Sequence, residues 1–66
     1  MAIIKVVEIL SNSTKSWEAA TQNAVTRASK SIKGIRSAYV QEQSVVVSKG
    51  KVTEYRVNLK VSFEVK

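Results

Sequence analysis

A chain of 66 residues with 11 Lys and Arg against 5 acidic residues carries a formal net charge of +6 and has neither cysteine nor histidine. Those absences exclude disulfide staples, thiolate zinc sites and Ser-His or Cys-His nucleophilic pairs, and with separated glutamates as the only acids no enzyme is expected. A domain this small buries only about 60% of the surface its unfolded chain exposes, so a partner chain is the expected source of added stability.

The opening "MAIIKVVEIL" is apolar and β-branched, with Lys5 and Glu8 its only charges. It reads as a first strand over residues 2–10, covered on much of both faces, and not as a signal peptide, because no small-residue cleavage site follows. No apolar run approaches the roughly 20 residues of a membrane-spanning helix, so the chain is expected to be soluble and cytoplasmic.

"SNSTKSWEAATQNAVTRASKSIKG" follows, polar at its start and closed by Gly34. Ser13 is the expected N-cap, its hydroxyl accepting from a free first-turn amide, and Glu18 lies early enough to favour the helix dipole. Trp17, Ala20, Ala24, Val25, Ala28 and Ile32 recur at three- and four-residue spacing and form one apolar stripe. Lys30 and Lys33 are placed in the last turn, and Gly34 at the left-handed C′ position. Because the stripe is mostly alanine, the helix can lie very close to a sheet, with Trp17 packed in the core.

"IRSAYVQEQSVVV", residues 35–47, reads as a second strand whose polar centre, Gln41, Glu42 and Gln43, suits an edge or a wet middle. "SKGK" supplies a hairpin turn with Gly50 left-handed, and residues 52–65 form the third strand. Within it Tyr55, Val57, Leu59, Val61, Phe63 and Val65 fall on one side, and Arg56, Asn58, Lys60, Ser62 and Glu64 on the other. The third strand has the most regular pattern, so it is placed between the other two, which makes every pairing antiparallel. The expectation is an α+β fold, β-α-β-β, with a three-stranded antiparallel sheet in the order 1-3-2 packed on one helix. Residues 1–66 are expected to form a single domain.

Dimensions bear on assembly. The second and third strands span about 45 Å at roughly 3.3 Å per residue, whereas a helix of about 18 residues spans about 27 Å. One helix cannot roof that hairpin, and self-association is expected. The two glycines form no phosphate loop. Calcium wants six to eight oxygens, commonly from clustered carboxylates, and no cluster stands in the sequence. Glu42, Glu54 and Glu64 are the metal candidates if symmetry repeats them around an axis. A basic nucleic-acid-binding module is the remote alternative: the positive charge is scattered, and the wet side of the third strand offers no ring for bases to stack on, Tyr39 being the one aromatic placed to reach the open face.

The order of elements, the length, and the stretches "KVVEILSNSTKSWEAATQNAV", "RASKSIKGIRSAYVQEQ" and "GKVTEYRVNLKVSFEV" together resemble the dodecins. That resemblance implies a hollow homododecamer that binds, stores or sequesters a small ligand, in the best-known members a flavin: riboflavin, FMN or FAD. Flavin-binding members place a stacking Trp and a hydrogen-bonding Gln where this sequence has Ser37 and Arg56. Gln43, Asn58 and Lys60 are then candidates to line a pocket or channel. "SWE" at Ser16, Trp17 and Glu18, "EQ" at Glu42 and Gln43, and "YR" at Tyr55 and Arg56 are similar to a tryptophan-less branch described as calcium dodecins. The resemblance to that branch implies calcium, or a purely structural shell, as the alternative to flavin.

Overall fold

The structure, a computed structural model, describes residues 3–65. The elements are β1 (Ile3–Ser13), α1 (Trp17–Ser31), β2 (Ile35–Ser48) and β3 (Lys51–Val65). They form one three-stranded sheet in the order β1-β3-β2, with both pairings antiparallel. The α+β class and the strand order are those expected from the alternation of the third strand. The expected start of the first strand at Ala2 lies outside the described residues.

The core is built on the oily row of β3. Val57, Leu59 and Val61 are buried against Ala20 and Ala24 of α1, and Val7, Ile9, Trp17, Ile35 and Val40 pack around them. Fully burying a side chain of that size contributes about 1.5–3 kcal/mol. Alanine on the facing helix stripe leaves no bulk between helix and sheet, so Leu59 and Val61 lose all solvent exposure.

Three local expectations are corrected. First, β1 runs on to Ser13, because β3 is long enough to keep pairing it: Ser11 stands opposite Val57 and Ser13 opposite Tyr55. Ser11 Oγ also donates to the Ala20 carbonyl at 2.8 Å, tying strand to helix. Nor is β1 covered on both faces. Val7 and Ile9 are half-buried beneath the helix, while Ile4, Val6 and Leu10 point away from it and are exposed, since no other layer of this chain lies there.

Second, the helix N-cap is Ser16 and not Ser13. The Ala19 N–H donates to Ser16 Oγ at 3.0 Å, whereas Ser13, still in the strand, accepts from the Lys15 N–H. Glu18 remains in the first turn and Lys30 in the last, both favourable to the helix dipole, while Lys33 falls beyond the last turn.

Third, the helix is closed by Ile32, whose N–H donates to the Ala28 carbonyl at 2.8 Å. Gly34 does turn left-handed, with φ 79°, but its task is a close approach to β3. Its carbonyl accepts from the Glu64 N–H at 3.0 Å, and a Cβ built there would stand 3.1 Å from the Glu64 carbonyl oxygen. At the other end, Lys49 and Gly50 have φ 51° and 76° and close a two-residue hairpin loop between Ser48 and Lys51. Two consecutive positive φ values match the twist of the flanking strands.

The molecule measures 51 × 19 × 13 Å. A helix of 15 residues spans only about 22 Å of that length. The predicted mismatch is therefore larger than the sequence suggested. At the bare end of the hairpin Val47 and Val52 face one another across the strands, both exposed.

The two glycines provide a test of this joint. Both occupy the left-handed region, where an L side chain costs about 1–2 kcal/mol, but a Cβ at Gly50 meets nothing within 4 Å. Gly34→Ala is expected to destabilise more than Gly50→Ala in urea unfolding at fixed protein concentration. Equal losses would contradict the close approach of Gly34 to β3.

Candidate functional site

The pairing register sorts the wet side of the sheet into rungs. From one end, Val6, Ser62 and Ser37 form a rung across β1, β3 and β2, followed by Glu8, Lys60 and Tyr39, then Leu10, Asn58 and Glu42, then Asn12, Arg56 and Ser44. This face is opposite to α1 and carries no layer of this chain. Bulges between Ile35 and Ser37, and between Val40 and Glu42, each insert one residue into β2 and change the row on which the following residues fall.

The last two rungs enclose a depression of about 420 Å³, lined by Leu10, Asn12, Glu42, Ser44, Arg56 and Asn58 among others. Arg56 is exposed at its margin. Asn12 Nδ2 donates to Glu54 Oε1, which fixes one wall. Asn58 Oδ1 is buried without a hydrogen-bond partner among the described residues. An unpaired buried acceptor costs about 1–3 kcal/mol.

Of the residues singled out from sequence, Ser37, Arg56, Asn58 and Lys60 all lie on this open face. Ser37 Oγ is 2.6 Å from Ser62 Oγ, one hydroxyl donating to the other. Gln43 stands opposite Val57, on the helix-side row, and borders the depression. Glu42, Glu54 and Glu64 are not brought together. Glu54 and Glu64 are ten residues apart on one strand, about 33 Å. Glu64 is in addition ion-paired with Arg36. Among the described residues no group of three or more candidate metal ligands forms.

The contribution of β1 was not legible beforehand. Leu10 and Asn12 enter the site only through their register with Asn58 and Arg56. The signal was present in the alternation of "KVVEILSN", read together with an antiparallel pairing to the third strand. The Arg36–Glu64 pair likewise depends on the first bulge.

A family model, Dodecin, matches residues 3–66. The chain belongs to the dodecin family. It is 46% identical over 67 residues to the calcium dodecin of Mycobacterium tuberculosis, with 100% of this chain and 93% of that protein covered. A crystal structure of that calcium dodecin, described as calcium chelating with a novel calcium-binding site, matches at a TM-score of 0.84 and 43% identity, covering 97% of this chain and 91% of that one. A variant of the T. thermophilus dodecin matches at a TM-score of 0.94 and 32% identity over 100% of this chain and 98% of that one. Among the described residues no helix is long and apolar enough to cross a membrane.

Within this dodecin fold the chain's single Trp belongs to the helix. Trp17 is half-buried at the edge of the core, its ring meeting Tyr55 edge-on at 5.2 Å and 77°. Its Nε1–H donates to the Ser44 carbonyl at 3.0 Å, which clamps the start of α1 to the β2 segment bordering the depression. Trp17→Phe keeps an aromatic ring at the edge of the core but removes the donor and the area of the second ring. The expected loss is about 1 kcal/mol or more in thermal or urea unfolding, with the fold retained by circular dichroism. Unchanged stability would show that the clamp contributes nothing.

Proposed function

We propose that this chain is a shell-forming, ligand-holding dodecin. Copies assemble as a hollow homododecamer through the apolar surface that α1 leaves bare, and the open sheet face holds a small ligand without transforming it. The observation that carries this reading is the open face itself. It combines a depression, two exposed cations at Arg56 and Lys60 and an exposed ring at Tyr39. Repeated around symmetry axes, Arg56 and Lys60 concentrate positive potential, which favours anionic ligands such as flavin phosphates.

Flavin is the leading cargo. The positions corresponding to the stacking Trp and the hydrogen-bonding Gln of flavin-binding members are Ser37 and Arg56, both on the open face. Ser37 removes a ring platform, and Arg56 replaces a neutral amide by a cation. The second reading, calcium held between copies or a purely structural shell, draws on the 46% identity to a protein named calcium dodecin. In that reading Glu42, Glu54 and Glu64 act only where copies meet.

Flavin titration and calcium-dependent melting separate the two. Flavin cargo predicts saturable quenching of added riboflavin or FMN fluorescence, with a melting temperature indifferent to calcium and to chelator. A calcium-dependent rise in melting temperature without quenching would overturn it in favour of the second reading. Ser37→Trp combined with Arg56→Gln is expected to tighten riboflavin binding at least about fivefold, in keeping with the energy of an added stacking ring. An unchanged titration would mean that this face no longer has the shape of a flavin pocket.

A further inference from the structure

We infer that the C-terminal end of α1, together with the start of β1, forms a phosphate-binding surface for double-stranded nucleic acid, recognised by charge and not by base sequence. The surface lies on the helix side of the sheet and is separate from the open face and its cargo.

Cations that are scattered along the sequence are gathered by the fold. Lys5 stands opposite Phe63, and Phe63 opposite Ile35, on the row that continues through Val7 and Ile9 beneath the helix. α1 ends at Ser31, four residues before Ile35, which carries Arg27, Lys30 and Lys33 to that same end of the sheet. Arg27 and Lys30, three residues apart on the helix, are neighbours on its surface. All four cations are exposed, and the ion pair found among the described residues, Arg36–Glu64, uses none of them. Glu8, Glu42, Glu54 and Glu64 lie on the other face of the sheet. Glu18 is nine residues before Arg27, about 13 Å along the helix. The helix dipole accounts for Lys30, the cation of the last turn, but not for Lys5, Arg27 or Lys33.

A cluster of cations without acids is complementary to a polyanion, and the neighbouring groups select which one. The exposed large hydrophobic residues all belong to strands and none to α1, so this surface lacks the apolar face with which a helix enters a lipid interface. Phe63 is half-buried and no other ring stands there, so unpaired bases have nothing to stack on. Duplex phosphates require neither. They take charge from Arg and Lys and hydrogen bonds from amides and hydroxyls, which the exposed Asn23 and Ser31 supply beside Arg27. Assembly into a particle repeats the surface, and neighbouring copies engaging one duplex gain avidity without a new contact. That last gain rests on the proposed shell; the surface itself belongs to one chain.

Fluorescence anisotropy of a labelled, mixed-sequence DNA duplex, titrated with the purified protein at a series of salt concentrations, tests the inference. Four phosphate contacts predict that log K falls against log salt with a slope of about −3.6 or steeper. Arg27→Gln with Lys30→Gln is expected to make the slope shallower by about 2 and to weaken binding at least about tenfold. Arg27→Lys with Lys30→Arg keeps the charge and retains binding. Lys49→Gln with Lys51→Gln removes equal charge at the hairpin tip and leaves slope and affinity nearly unchanged. Light scattering on each variant reads particle mass, so a failure of the shell is seen separately from a failure of binding. Equal weakening by the two charge-removing pairs overturns the surface in favour of net charge alone. No anisotropy change at low salt overturns it outright, and so does binding to vesicles of phosphatidylserine and phosphatidylcholine where the duplex is not bound.

Discussion

A 15-residue helix lies on a hairpin whose strands run for 14 and 15 residues. At about 1.5 Å per residue for a helix and 3.3 Å for a strand, it covers less than half of their length. Beneath it, Val57, Leu59 and Val61 are sealed by alanines. Beyond it, Val45, Val47 and Val52 toward the hairpin tip, and Ile3 and Val65 at the opposite end of the sheet, remain exposed. A core of this size supplies little stability on its own. We propose that further copies complete, at these bare ends, the core that the short helix leaves unfinished.

That same arrangement frees the other face of the sheet. Among the described residues the one helix packs on one side, so none of them covers the rungs from Ser37 to Arg56, and cross-strand register decides which side chains meet there. Cations stand on β3, a ring and a carboxylate on β2, and two apolar groups, a carboxylate and an amide on β1. The bulges in β2 determine which of its side chains join this face. A single inserted residue near Gln41 puts Glu42, rather than Gln41, opposite Asn58. Trp17 secures the far side of the same segment through the Ser44 carbonyl. Helix capping, bulge placement and the depression are thus mechanically one unit.

Much of this was legible in the residues. The strict alternation of Tyr55 through Val65 identified the central strand and hence the 1-3-2 order, because only a strand paired on both sides needs so regular a row. Spacing of Ala20, Ala24 and Ala28 identified the buried helix stripe. What remained hidden depends on choices between near-equivalent local signals. Ser13 and Ser16 are both plausible caps by type, and Ser13 stays paired with β3 while Ser16 takes the task. The full length of β1 was hidden for the same reason. The bulge near Gln41 puts Gln43, expected to line a pocket, on the helix-side row, from which it borders the depression. The unpaired oxygen of Asn58 is a property of three strands in register, which no single stretch displays.

We propose that the length mismatch commits this chain to a closed particle. Multi-angle light scattering on the purified protein at micromolar concentration tests it most directly. A mass near twelve times the 7.3 kDa of one chain is the predicted result, and a mass of one or two chains would contradict the account.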